Sequence, residues 1–351
     1  MPGSIPRGVL SVAARTAGPI LLALLPALTA TAEAGISTPD IFSPVSTPAF
    51  VIRDLAWLVL GICAAILAVV GGLLTYAVWR FRARPGDAGR EPAQVYGSSA
   101  IELAWTIVPA IIVFVLFLAT ARSVLELQKE AAPPGWMTVE VIGHQWWWEF
   151  RYPGAGVTTA NELHLPVSTP EHRRPAFLAL ESADVIHSFW VPQLSGKQDV
   201  IPAKRNGLWF DPLVPGTYVG QCAEFCGTQH AGMLLRVIVH PPGEFEQWLE
   251  SQRRPAVADP AVAEGRAVFE QTACINCHRV AGTVADGSFG PDLTHLMSRT
   301  TIASGVARND RETMRRWVND PDHLKPGALM PAMKLDEQEL DRVVAYLMTL
   351  R

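Results

Sequence analysis

The hydrophobic pattern changes several times along the chain. Residues 18–30 form a short apolar run behind Arg7 and Arg15. Residues 55–79, LAWLVLGICAAILAVVGGLLTYAVW, carry no charge, and neither do residues 103–121, LAWTIVPAIIVFVLFLATA. At a rise of about 1.5 Å per residue, each of these two is long enough for the apolar core of a bilayer. From 137 the runs shorten. MTVEVIGHQWWWEF, FLALESADVIHSFWVP, NGLWFDPLVPGTYVG and MLLRVIVH are alternating or short apolar stretches between Pro and Gly turns. That texture predicts an all-β sandwich of about a hundred residues. PPGEFEQWLESQRRPAVADP reads as a short helix running into a Pro-containing linker. Helical patterns follow in AEGRAVFEQTACINCH, RETMRRWVND and DEQELDRVVAYLMTL. In the last of these Leu340, Val343, Val344 and Leu347 share one face, and Asp336 with Glu339 forms a capping box.

These patterns divide the chain. Two arginines, an apolar run and the A-x-A site Ala32-Glu33-Ala34 make residues 1–34 a secretory signal peptide, cut after Ala34. A transmembrane helical hairpin is expected over 50–124, with helices at about 55–79 and 100–121. Trp57 and Trp79 fall at the ends of the first helix, where aromatic belts sit, and Pro109 in the second is tolerated in a membrane helix. Arg80, Arg82, Arg84 and Arg90 lie between the two, which places that loop in the cytoplasm. The sandwich (137–240), a linker (241–260) and a helical domain (261–351) are then expected on the outer face, which is the periplasm if the source is a Gram-negative bacterium. The lipid bilayer is one expected partner.

Composition agrees. Apolar residues make up 49% and charged residues only 18%, and a net charge of −4 gives no reason to expect nucleic acid. Of five cysteines, Cys63 lies in an apolar run and reads as a small buried hydrophobe. The other four form two close pairs, unlike the spread framework of a disulfide-stapled domain.

Cys274-Ile-Asn-Cys277-His278 is C-x-x-C-H, the attachment motif for c-type haem. Two thiols add to the two vinyl groups of one porphyrin, and the adjacent imidazole faces the iron. A thioredoxin-like dithiol would want a βαβ context, and these neighbours are helical. A methionine on the other face completes a high-potential electron-transfer haem, with Met330 and Met333 as candidates. Residues 262–350 resemble a small class I cytochrome c. Gly290-Pro291-Asp292-Leu293 matches the segment near the proximal histidine, and PGALMP matches the loop that delivers the axial methionine. By that match Met330 is the ligand, and Met333, like Met297 and Met314, is core packing.

The other pair sits in QCAEFCGTQHAGM, where Cys222, Cys226, His230 and Met233 offer soft donors suited to copper or zinc. A zinc site would leave the methionine surplus, and a disulfide would leave His230 and Met233 unexplained. Copper wants a second histidine, and His187 in SADVIHSFWVP is available on a strand-like run upstream.

The full set resembles the dinuclear copper centre of cytochrome c oxidase subunit II, and the resemblance covers residues 50–240. It implies a cupredoxin-like sandwich in which both thiolates bridge two coppers. One copper would also take His187 and Met233, the other His230 and the main-chain oxygen of Glu224. The Glu224 side chain would reach a magnesium ion shared with subunit I. Gly143-His144-Gln145-Trp146, with Trp148, matches the aromatic stretch through which electrons reach copper, which makes Trp146 the receiving residue. Glu102 matches a glutamate at the mouth of a proton pathway; equally, Ser99-x-x-Glu102 reads as a capping box opening the second helix.

The resemblance implies electron flow from haem c to copper and on to subunit I, where oxygen is reduced to water with proton pumping. Other oxidase subunits and an external cytochrome c or other donor are implied partners. The rival is a membrane-tethered copper-delivery protein, which would expose one labile copper and have little use for a covalent haem. Fusion places the haem at about millimolar local concentration near the copper domain. The C-terminal domain lacks the basic excess of a diffusible, electrostatically steered cytochrome, so weak salt dependence of haem-to-copper transfer is expected.

Overall fold

The computed structural model describes residues 36–37, 39–82, 91, 94, 96–129, 131–257 and 259–351. The expected signal peptide, together with Arg84 and Arg90 of the loop between the helices, lies outside them. Strand β1 (Ile36–Ser37) precedes two long helices, α1 (Thr47–Arg80) and α2 (Ser99–Leu127). Both contain uncharged stretches long enough to cross a membrane, and both extend beyond the expected 55–79 and 100–121. α1 starts early because Pro48 suits a first turn, whose N–H would have no intrahelical partner. Its first turn is also held by protein: Pro48 and Ala49 are buried, and Thr47 Oγ1 donates to Asp211 Oδ2 at 2.6 Å. Asp211, itself 1% exposed, also accepts from Ser168 Oγ and pairs with Arg173. α2 runs on to Leu127, whose carbonyl accepts the Trp209 indole N–H at 2.9 Å. Its start differs from expectation. Ser98, not Ser99, is the N-cap, and it makes no side-chain bond, so the Ser99–Glu102 capping box does not form.

The sandwich strands are β2 (Met137–His144), β3 (Trp147–Tyr152), β4 (Val157–Ala160), β5 (Glu162–Pro166), β6 (Ala176–Ser182), β7 (His187–Trp190), β8 (Gln198–Val200), β9 (Asn206–Phe210), β10 (Gly216–Cys222) and β11 (Leu234–His240). One sheet is ordered β5-β11-β10-β7-β8, with β1 joined to β10; the other is ordered β4-β3-β2-β6-β9. The pairs β1/β10, β5/β11 and β2/β6 are parallel. β2 and β11 alternate buried and half-buried positions, as strands covering one core do. Val139, Val141, Phe150, Leu163, Leu178, Phe189, Phe210 and Leu235 fill the space between the sheets.

Helix α3 (Glu244–Gln252) opens the stretch expected as linker, yet it packs on the sandwich. Phe245 is buried in the same core, and Trp248 stacks on His164 with centroids 4.0 Å apart. The C-terminal domain contains α4 (Ala263–Gln271), α5 (Cys274–Cys277), β12 (Thr301–Ile302), β13 (Ala307–Arg308), α6 (Arg311–Asn319), α7 (Pro321–Leu324) and α8 (Glu337–Leu347). Leu340, Val343, Val344 and Leu347 of α8 pack with Phe269 of α4 and Met314 and Val318 of α6. The Asp336–Glu339 capping box forms as expected.

The β12–β13 hairpin seats this domain on the sandwich. The N–H of Leu234 donates to the Ser304 carbonyl at 3.1 Å, and Ser304 Oγ donates to the Leu234 carbonyl at 2.9 Å. Arg236 Nη1 donates to Thr301 Oγ1, and both the N–H and the hydroxyl of Thr300 donate to Glu162 Oε1. Every residue of β5 is consequently buried, Glu162 included.

Candidate metal and haem sites

The copper-type loop hangs between β10 and β11, closed by Cys222 N–H donating to the Met233 carbonyl at 3.0 Å. Pairing of Cys222 with Phe189 across β10 and β7 brings His187, two residues along β7, over the same loop. The expected donors converge. Cys222 Sγ lies 3.8 Å from Cys226 Sγ, 4.0 Å from His187 Nδ1 and 3.2 Å from the Glu224 carbonyl. Cys226 Sγ lies 3.7 Å from His230 Nδ1 and 3.8 Å from Met233 Sδ. A disulfide has its sulfurs about 2.05 Å apart, so these thiols are free. Two donors on one tetrahedral metal, with bonds of about 2.0–2.3 Å, stand about 3.3–3.8 Å apart. The observed spacings fit a shared soft metal centre, and the mixture of thiolate, imidazole and thioether suits copper.

The surroundings fix this set. His187 is fully buried, and its Nε2 bonds Asp184 Oδ1 at 2.8 Å, leaving Nδ1 for the cluster. Burial opposes charge on His187, but Asp184 and Cys222 outweigh it and hold its pKa above the ordinary value. Gly143 on β2 lies directly against that ring; a Cβ there would stand 2.8 Å from His187 Cδ2. The second Asp184 oxygen accepts the Gln145 N–H at 2.6 Å. Of the thiols Cys222 is the more acidic, because its hydrogen bond with Cys226 favours the thiolate there; the same bond, then burial and the neighbouring negative charge, raise Cys226. Metal coordination would deprotonate both. The Glu224 side chain points outward and is exposed, beside Phe225 at 76% exposure.

In the C-terminal domain Cys274 and Cys277 stand on the single turn α5, with His278 at its end. His278 Nδ1 donates to the Pro291 carbonyl at 2.8 Å, and burial pulls its pKa below the ordinary value, so a neutral Nε2 is left for iron. Gly290 is required here by close approach: a Cβ would stand 2.6 Å from His278 Cε1. All three residues line one apolar cavity, and Met330 and Met333 line it too. Met333, expected as core packing, is thus on the cavity wall and half-buried. Met314, expected as core, is 2% exposed and packed in the domain core, and it too borders the cavity.

The same cavity reaches the sandwich, where Gln145, Trp146, Trp147 and Asn161 close it. Trp146 faces both sites: it lines the haem cavity, and its indole Nε1 donates to the Cys226 carbonyl at 2.9 Å. Gln145 Nε2 donates to that oxygen as well, at 2.7 Å. Trp147 stacks on His144 with centroids 4.2 Å apart and also lines the cavity, whereas Trp148 is a fully buried core residue against Phe189. Glu102 lies exposed in the first turn of α2, far along the chain from either site. Sequence reasoning missed Asp184, three residues before His187, and Lys325, whose Nζ donates to the Trp146 carbonyl at 2.8 Å.

A two-helix membrane anchor, a cupredoxin-like sandwich and a cytochrome c domain define a membrane-bound electron-transfer protein. Models of three families match: the transmembrane domain of cytochrome c oxidase subunit II over residues 35–121, its periplasmic domain over 157–240, and cytochrome c over 262–351. A cytochrome c oxidase subunit 2 of Alkalihalophilus pseudofirmus is 34% identical over 298 residues, covering 83% of this chain and 84% of that protein. One of Bacillus sp. strain PS3 is 33% identical over 291 residues, covering 77% and 80%. A crystal structure of the periplasmic domain of subunit II from Bradyrhizobium japonicum aligns with 29% identity over 35% of this chain and 97% of that one, with a TM-score of 0.32. The chain belongs to the cytochrome c oxidase subunit II family, with a cytochrome c domain at its C-terminus. It is a component of an oxidase complex, and its family implies haem c, copper A and other oxidase subunits as partners.

Proposed function

We propose that this chain is the electron-receiving subunit of a bacterial haem-copper terminal oxidase, held in the inner membrane by α1 and α2 with both redox domains on the periplasmic face. Cys274 and Cys277 carry a covalent haem c ligated by His278 and Met330. His187, Cys222, the Glu224 carbonyl, Cys226, His230 and Met233 hold two coppers. When bound, each of these groups exchanges one electron at a time. Held by both thiolates and fixed by buried His187, such a copper group would change geometry little on one-electron transfer, which would keep reorganisation small.

The observation that carries this reading is the double contact of Trp146 with the haem cavity and with Cys226 of the copper loop. It supports Trp146 as the bridge by which an electron would leave the haem for copper. From copper the electron passes to subunit I, where oxygen is reduced to water with proton pumping. The exposed Glu224 carboxylate is free to help bind magnesium at that junction, and Glu102 is assigned to a proton-path mouth by resemblance alone. An external cytochrome c or another donor reduces the haem.

The test is metal content and electron paramagnetic resonance on the full chain in detergent. Two coppers sharing one unpaired electron, beside one covalent haem iron, are expected. A single copper with hyperfine structure from one nucleus would favour the copper-delivery reading and overturn this one.

A further inference from the structure

Lys325 follows α7 in the loop that leads to Met330. It is 4% exposed, and both hydrogen bonds of its ammonium go to main-chain carbonyls, to Trp146 at 2.8 Å and to Ala303 at 3.3 Å. Lysine is almost never fully buried unless paired with an opposite charge, because desolvation of the ammonium is costly. Burial accordingly pulls its pKa down to about 7, with the Cys226 thiol opposing that fall. A leucine or methionine would fill the same space without that penalty. The reason for a lysine here therefore lies in what its head group holds.

What it holds is the bridging tryptophan. Trp146 is bound from the copper side through its indole N–H and from the cytochrome side through its carbonyl. Other seam bonds, Ser304 to Leu234 and Gln229 to Pro326, join the two domains without touching Trp146. Lys325 also bonds Ala303 of the docking hairpin, so one head group gathers the Met330 loop, the hairpin and the tryptophan around one wall of the haem cavity.

We infer that Lys325 is a positioning residue for electron transfer, tying the methionine loop of the cytochrome domain to the main chain of Trp146 and so holding the haem cavity against the bridge to copper. The inference rests on the function proposed above. The step it serves moves one electron from iron to the copper pair, with no bond made or broken and no proton exchanged at the lysine. Because transfer rates fall steeply with separation, a slackened junction acts on this rate and leaves binding of either metal group intact.

The experiment compares wild type, Lys325→Met and Lys325→Arg in the full, haem- and copper-loaded chain. The haem is reduced by a light pulse, and the copper absorbance reports arrival of the electron. Lys325→Met is expected to slow haem-to-copper transfer severalfold, because the slackened junction lengthens the path between the two groups. Its iron and copper content and its haem and copper spectra should stay as in wild type. Lys325→Arg, which keeps charge and donors, should recover most of the rate. If the methionine variant does not fold, Lys325→Gln is judged by the same criterion. A rate unchanged from wild type overturns the inference alone, and so does a fall accompanied by loss of haem or copper. A wild-type chain with no haem-to-copper transfer at all overturns the proposed function and this inference with it.

Discussion

The imidazole of His187 is held by Asp184 through a 2.8 Å hydrogen bond, and the other oxygen of the same carboxylate holds the main chain one residue before Trp146. One solvent-accessible carboxylate thus sets the tautomer of a copper-ligand candidate and the position of the bridging tryptophan. Partners of this kind typically change metal affinity by about 10–100-fold when removed. Asp184→Ala is expected to weaken copper retention within that range in a chelator competition, and Asp184→Asn less, because an amide still accepts from Gln145. Equal retention in all three proteins would show that His187 is oriented by packing against Trp148 and Gly143 alone.

Met330 and Met333 both line the haem cavity, as does the buried Met314 of α6, so geometry leaves more than one thioether where one axial ligand is needed. The resemblance to class I cytochromes selects Met330. Met330→Ala should abolish the far-red methionine-to-iron absorption and lower the haem potential, because a thioether ligand raises it. Met333→Ala should keep both properties. The reverse result would assign the ligand to Met333.

A pair of histidines under α3 makes stability depend on pH. His164 Nδ1 lies 2.8 Å from His240 Nε2, and His164 is sandwiched against Trp248. Burial is the main cause that lowers both pKa values; the mutual charge and Arg299 lower His164 further, while Glu244 and Glu246 oppose the shift at His240. The unfolded chain therefore binds protons before the folded one does. The stability held above the ordinary histidine pKa of 6.5 is lost progressively as pH falls through it toward the lower folded values. Thermal midpoints of the sandwich should drop between about pH 7 and pH 5. His164→Phe, which keeps a ring against Trp248, should flatten that dependence, and an equally steep profile in the variant would remove the pair as its cause.

The candidate donors were legible where they are local: four side chains lie within Cys222–Met233, and the haem motif is contiguous. β2, β6 and β11 showed themselves by pattern. β4 and β5 did not: Glu162-Leu163-His164-Leu165 alternates but is short, and the cover that α3 and the docking hairpin give its polar positions leaves no trace in that pattern. The first helix overran its apolar window because its opening turn packs on protein through Asp211, which hydropathy does not register. Asp184 and Lys325 carry no sequence signal of their roles: one reaches from just before β7 to the turn between β2 and β3, and the other acts across two domains. The Ser99–Glu102 box failed because the helix starts one residue earlier than the motif allows.

The seam between the domains is polar but buried. Glu162 is 1% exposed and accepts two hydrogen bonds from Thr300, with Arg236 and Arg299 close enough to feel its charge. Such a contact is shielded from mobile ions, unlike an encounter steered by surface charge. Haem-to-copper transfer within the chain should therefore change little when ionic strength rises from about 0.01 M to about 0.15 M, although the Debye length falls from about 30 Å to about 8 Å. Glu162→Leu leaves the Thr300 N–H and hydroxyl without their acceptor and removes the negative charge that Arg236 and Arg299 feel. The variant should loosen the cytochrome domain, seen as faster proteolysis between residues 252 and 262, and its transfer kinetics should become heterogeneous. A steep salt dependence in the wild-type chain, or unchanged proteolysis in the variant, would mean that the domains meet by diffusion on a tether and not through this fixed seam.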